Sequence, residues 1–176
     1  IVLIGSGFYV CGGKKKDYGT ILPAILTFAK LNQIKTKIII AINKDESAKN
    51  FTKKLTSLKK LLFTEDLIKH EFVFCKGSPD IFLKKYKSKN RIVAGIISIP
   101  DHLHFDWAKS LLTANIPLLV VKPLTLKLNH SIELTKLSKR LSIQLFVEFH
   151  KRYDRQLKYT RDSFMNGIIG GPLYSF

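Results

Sequence analysis

At 176 residues, 45% apolar and 24% charged, the chain has the composition of one globular domain, which excludes the disordered and low-complexity classes. Thirty Lys and Arg against thirteen Asp and Glu leave a net charge of +17, a field that suits nucleic acid, anionic membranes or phosphorylated ligands without choosing among them. The cysteines, Cys11 and Cys75, are too few for a disulfide scaffold and match no zinc spacing, so no metal is expected.

Short β-rich runs alternate with helix-length amphipathic stretches along the whole chain. The first strand is predicted over residues 1–4 and is followed at once by Gly5-Ser6-Gly7 and Phe8. In a βαβ unit the first glycine allows the tight turn and the second lets the backbone approach a pyrophosphate. The place of a third glycine is held by Val10, with Gly12 and Gly13 arriving late. The next helix is predicted over 21–31, with Thr20 as its cap, so the intervening loop is long and carries Lys14-Lys15-Lys16. Those lysines read as solvated charge or as neutralisers of phosphate, and Cys11 reads as a small packed residue with no base beside it.

The second strand, 37–42, runs into Asn43-Lys44-Asp45. An acid at such a strand end accepts hydrogen bonds from the adenosine ribose in NAD enzymes. The neutral Asn43 and cationic Lys44 favour NADP, with Asp45 as the acid if the register shifts. A helix over 46–62 places Phe51, Leu55, Leu58 and Leu62 on one face. Further strands are predicted over 72–75, 92–99, 117–121 and 143–149, with helices over 79–86, 104–114, 128–140 and 155–166. The last helix stops at Gly167. Strands nearly continuous in Ile, Val and Leu suit a parallel sheet covered on both faces. Five strand–helix repeats read as a Rossmann-type, doubly wound, mostly parallel six-stranded α/β sheet.

The segment Ser98-Ile99-Pro100-Asp101-His102-Leu103-His104 resembles the "T-P-N-x-x-H" step of the glucose–fructose oxidoreductase and inositol dehydrogenase (Gfo/Idh/MocA) family of NAD(P)-dependent sugar dehydrogenases. Val121-Lys122-Pro123 is similar to that family's "E-K-P", Phe149–Asp154 to its aromatic and arginine-rich run, and Gly167–Leu173 to its "G-x-I-G-x-P". The resemblance covers nearly the whole chain, with the motifs in order. It implies that Lys122 is the catalytic lysine, holding the substrate hydroxyl or sharing its proton. It also implies that Gly5, Ser6, Gly7, Phe8, Asn43, Lys44, Ser98, Ile99, Pro100, His102, His104, Val121, Lys122, Pro123 and Arg152 gather around NAD or NADP. For Arg152 an ordinary surface position is an equal alternative.

The sequence departs from the family at Val121, where a glutamate normally helps hold the ribose, at the missing third glycine, and in lacking the Asp and His that relatives carry on a second-domain helix. The expected organisation is an NAD(P)-binding domain over 1–150, then a linker helix and first strand of an incomplete substrate or oligomerisation domain over 151–176. Two functions follow from the resemblance. One is hydride transfer between a nicotinamide and a hydroxyl-bearing carbon of a sugar, cyclitol or nucleotide sugar. The alternative is a non-catalytic nucleotide-binding or regulatory module on the same fold. The +17 charge is dispersed as lysine on helix faces, which argues against nucleic acid. No signal peptide and no membrane span are expected, and a cytoplasmic homo-oligomer is the expected form of the full-length protein.

Overall fold

The computed structural model describes residues 1–13, 17–86 and 92–170. Its six strands are β1 (Val2–Ile4), β2 (Thr36–Ile42), β3 (Ile68–Phe74), β4 (Gly95–Ile97), β5 (Leu118–Val121) and β6 (Leu145–Glu148). They form one sheet in the order β3-β2-β1-β4-β5-β6, and every pairing is parallel. The expected Rossmann-type sheet is therefore present, and it is parallel throughout. The helices are α1 (Phe8–Cys11), α2 (Ile21–Asn32), α3 (Asp45–Leu62), α4 (Pro79–Tyr86), α5 (His104–Thr113), α6 (Leu128–Leu141) and α7 (Arg155–Met165).

The continuous apolar strands make sense once both faces are covered. Val2 and Ile4 of β1 join Ile39 and Ala41 of β2 on one face, against Phe82 of α4, Trp107 and Leu111 of α5, and Leu134 of α6. Leu3, Ile38, Ile40 and Ile42 point the other way, against Leu22 and Leu26 of α2 and the Phe51–Leu55–Leu58 stripe of α3. Period-two side chains thus alternate between two cores, and each fully buried Leu, Ile or Phe contributes about 1.5–3 kcal/mol. Leu62, at the end of the α3 stripe, is only partly buried.

Differences from the expected elements have local causes. Strand β3 begins four residues earlier than its apolar core implies. It is an edge strand and carries Lys69, His70 and Glu71 while still pairing with β2 through seven residues. Strand β6 begins later, because Ile143 closes α6 with an N–H bond to the Ser138 carbonyl. The long first loop holds the single turn α1, which was not expected. Thr20 makes no side-chain cap on α2, and its N–H instead donates to the Tyr9 carbonyl. Gly167 does end α7 with φ +70°.

Chain reversal between β1 and β4 defines the switch point. After β1 the chain moves to β2 and β3 on one side, whereas β4 leads to β5 and β6 on the other. Open α/β sheets bind ligands in the crevice at the carboxyl ends of the strands flanking such a point.

Candidate dinucleotide site

A cleft of about 410 Å³ opens at that switch point, within the size range of small-ligand pockets. Its lining comes from the ends of four strands: Gly5, Ser6 and Gly7 after β1, Asn43 and Lys44 after β2, Cys75 and Gly77 after β3, and Ser98, Ile99 and Pro100 after β4. Ile4, Ala41, Ile42, Ser47, Leu103 and Trp107 complete it.

Two glycines shape the cleft in different ways. Gly5 has φ +105°, and a Cβ there would lie 2.1 Å from the Ser98 carbonyl oxygen, so the β1 and β4 ends approach as closely as they do only because no side chain intervenes. A Cβ on the exposed Gly7 would meet no protein atom within 4 Å. The open space beside its backbone is what a pyrophosphate-binding turn requires. These residues fit a nicotinamide dinucleotide.

Beyond the second glycine the loop is tied to itself. Gly13 N–H donates to one Asp17 carboxylate oxygen (3.0 Å) and Gly19 N–H to the other (2.7 Å). These bonds hold the half-buried carboxyl below its usual range. Because the folded-state value is depressed, their contribution is present above the unfolded carboxylate range near pH ~4 and is lost as the pH falls through the folded value. Asp17→Ala is therefore expected to weaken dinucleotide binding at neutral pH, which a titration against the unsubstituted protein checks. Lys14–Lys16 lie outside the described residues.

Asn43 is committed on one side: its Oδ1 accepts from the Gly77 N–H at 2.7 Å and ties the β2 end to the β3 end. Lys44 precedes α3 and is exposed, and Asp45 and Glu46 stand in the first turn of that helix. Cys11 is fully buried, its Sγ donating to the Ser6 carbonyl at 3.2 Å, and burial pushes the thiol up, away from nucleophilic chemistry.

His104 is buried, with Nδ1 2.8 Å from the Pro123 carbonyl oxygen and Nε2 2.9 Å from that of Ile99. It clamps the loops after β4 and β5 together, and does not itself line the cleft. Lys122 is exposed at the end of β5, followed by a cis peptide to Pro123. Val121 is half-buried and in register with Glu148 of β6.

The predicted residues are thus only partly brought together. Gly5, Ser6, Gly7, Asn43, Lys44, Ser98, Ile99 and Pro100 line the cleft. Phe8, 72% exposed, and His102, on a 3-10 turn over Asp101–Leu103, do not. Val121, Lys122 and Pro123 belong to the adjacent β5 end. Arg152 lies elsewhere, its guanidinium 5.0 Å from the Phe149 ring, in a groove it shares with Lys151, Leu157, Lys158 and Arg161. Cys75, Gly77 and Trp107 were not anticipated as lining residues. The β3 end carries no motif, and Trp107 reads as core, which it also is at 3% exposure.

A family described as "Oxidoreductase family, NAD-binding Rossmann fold" has a sequence model that matches residues 1–149. An uncharacterized oxidoreductase of Synechocystis is 28% identical over 88 residues, which is 50% of this chain and 24% of that protein. A 3-ketoreductase from Actinomadura kijaniata, crystallised with NADP and TDP-benzene, superposes with a TM-score of 0.65 at 22% identity over 96% of this chain and 42% of its own. An NAD-binding oxidoreductase from Klebsiella pneumoniae gives 0.63 at 18% identity, over 97% and 39%. The chain therefore spans about a quarter of the curated relative and about two fifths of the solved ones. Among the described residues, no helix is long and apolar enough to cross a membrane.

Proposed function

Residues 1–149 make this chain a member of the Gfo/Idh/MocA oxidoreductase family, and from that premise we propose that the protein is an NAD(P)-dependent dehydrogenase acting on a hydroxyl-bearing carbon of a sugar, cyclitol or nucleotide sugar. The observation that carries the reading is the glycine-floored cleft at the switch point, walled on its far side by Ser98–Pro100. The ketoreductase crystallised with NADP and TDP-benzene supports both the cofactor and a nucleotide-linked substrate.

In this reading Gly5, Ser6 and Gly7 carry the pyrophosphate, and Asn43, Lys44 and Ser47 meet the adenosine ribose. Ser98, Ile99 and Pro100 border the nicotinamide, which when bound accepts or returns the hydride. Lys122 holds the substrate hydroxyl from the β5 end, between Val121 and Pro123, as a cation at a strand end where charge develops. His104 fixes the two loops that set the distance between Pro100 and Lys122. Residues 1–150 form the dinucleotide domain, and 151–176 lead into a substrate and oligomerisation domain of a cytoplasmic homo-oligomer.

The cationic Lys44 at the end of β2 favours a 2′-phosphate, hence NADP. Lys44→Asp is expected to move the preference towards NAD by tenfold or more, about 1.4 kcal/mol, measured as the ratio of affinities for NADP⁺ and NAD⁺. The function is tested by following nicotinamide absorbance with the full-length protein, NADP⁺ or NAD⁺, and a set of polyols, sugars and nucleotide sugars. Dinucleotide-dependent oxidation of one of them is expected. Dinucleotide binding with no turnover of any would favour the non-catalytic nucleotide-binding module.

A further inference from the structure

A single turn of helix does not hold its own shape in water, because nucleation fixes several backbone dihedrals for one hydrogen bond. The four-residue α1 lies between Gly5-Ser6-Gly7 and Gly12-Gly13, and such neighbours lend it no rigidity. Yet α1 sets the backbone that faces the cleft. Val10 and Cys11 donate their N–H groups to the Gly7 carbonyl at 3.0 and 3.1 Å, and the Cys11 thiol donates to the Ser6 carbonyl. Both carbonyls of the glycine turn are thus directed back into α1, and whatever anchors α1 also fixes the turn.

The anchor is Tyr9. Its carbonyl accepts from the Thr20 N–H at 2.8 Å, and its hydroxyl donates to Glu148 Oε2 at 3.0 Å. Glu148 ends β6, at the edge of the sheet and three strands from β1. The bond therefore crosses the switch point and joins the β3-β2-β1 half to the β4-β5-β6 half. The Glu148 side chain is 17% exposed, which shields the bond from water, and a carboxylate acceptor makes it stronger than a bond between neutral groups. His150 closes the group, with Nδ1 3.4 Å from the Tyr9 oxygen and 3.6 Å from Glu148 Oε1. Burial and the neighbouring Glu148 push the Tyr9 hydroxyl up, so it stays a donor at neutral pH. Tyr9 itself does not line the cleft.

We propose that Tyr9 and Glu148 are positioning residues for dinucleotide binding: their bond holds α1, and through it the Ser6–Gly7 turn, in the shape that receives the pyrophosphate. The assignment rests on the dinucleotide reading of the cleft given above. Its physical basis is preorganisation, since a turn fixed before the ligand arrives loses little conformational freedom on binding. Glu148 stands in register with Val121, so the same bond references the pyrophosphate turn to the strand pair that carries Lys122.

The test uses the full-length protein, with NADP⁺ titrated by calorimetry and thermal unfolding followed for each variant. Tyr9→Phe keeps the ring and deletes the donor. It should weaken NADP⁺ binding about tenfold and move the amide signals of Ser6 and Gly7 before any ligand is added. Glu148→Leu should give the same loss, and the double variant no more than either alone, because each deletes one shared bond. Glu148→Gln retains a side-chain oxygen that accepts from Tyr9 and should recover most of the affinity. A bond serving the fold alone would lower the melting temperature of these variants and leave the NADP⁺ affinity where it was. That outcome, unmoved Ser6 and Gly7 signals, or losses that add in the double variant overturns the assignment and leaves the dinucleotide reading standing. Failure of the unsubstituted protein to bind either NADP⁺ or NAD⁺ overturns that reading and the assignment together.

Discussion

Replacing Lys122 with alanine is expected to lower turnover of the full-length enzyme by about 10²–10⁴-fold, the range for removing a group that acts on the reacting hydroxyl. Dinucleotide affinity should hardly change, because Lys122 stands at the β5 end and outside the glycine-lined cleft. Its side chain is exposed, so removing it leaves no cavity and no uncompensated buried charge, and the melting temperature should stay put. The loss should therefore fall on kcat and kcat/KM together, as when an interaction made in the transition state is removed. Steady-state kinetics with a parallel dinucleotide titration check both halves. An unchanged rate would refute the role given to Lys122.

The second large effect is expected at Gly5. Alanine there takes on a positive φ of 105° and places Cβ 2.1 Å from a backbone oxygen of Ser98. The conformation alone costs of order 1–3 kcal/mol. The clash adds to it, since Ser98 is itself bonded to the Ile4 carbonyl and cannot withdraw without opening the β1–β4 ladder. Gly5→Ala should lower the melting temperature by roughly 2–4 °C for each kcal/mol lost and weaken dinucleotide binding. Gly7→Val provides the contrast. Its added atoms project into space that holds no protein atom within 4 Å of the Cβ, so the fold should tolerate it while dinucleotide binding is lost. Thermal unfolding and ligand titration on the two variants separate a glycine needed by the backbone from one needed by the ligand. Equal thermal stability of Gly5→Ala and the unsubstituted protein would contradict the steric account.

These two glycines also show how far the sequence can be read. Strands buried on both faces announce themselves as continuous Ile, Val and Leu, so β1, β2 and β5 could be found within a residue. An edge strand need satisfy only part of that condition, and the charged Lys69–Glu71 stretch concealed the first half of β3. Ile143 looked like strand and closes a helix, because a side chain's apolarity does not say which carbonyl its N–H will meet. The one-turn α1 is built from Phe-Tyr-Val-Cys, residues of modest helix propensity, and exists because its backbone closes on Gly7 and Phe8.

The site followed the same logic. Gly5–Gly7, Asn43–Lys44 and Ser98–Pro100 occur where strand patterns break, and each lies where a strand end meets the cleft. Cys75 and Gly77 line it equally, yet nothing in their spacing marks them; only the sheet order brings β3 beside β2. Phe8 and Arg152 match motif positions in sequence but line no part of the cleft. The contact of Tyr9 with Glu148 and His150 spans 139 and 141 positions, a distance over which residue spacing carries no information.

The cleft between the ends of β1, β2 and β4 is expected to take a nicotinamide dinucleotide. Trp107 is the chain's single tryptophan and lines that cleft, so its fluorescence reports occupancy directly. Titration of the full-length protein with NADP⁺ and NAD⁺ should give a saturable change, tighter for NADP⁺, that disappears in Gly7→Val while the fold persists. A flat response to both, with no gain in thermal stability, would contradict the account.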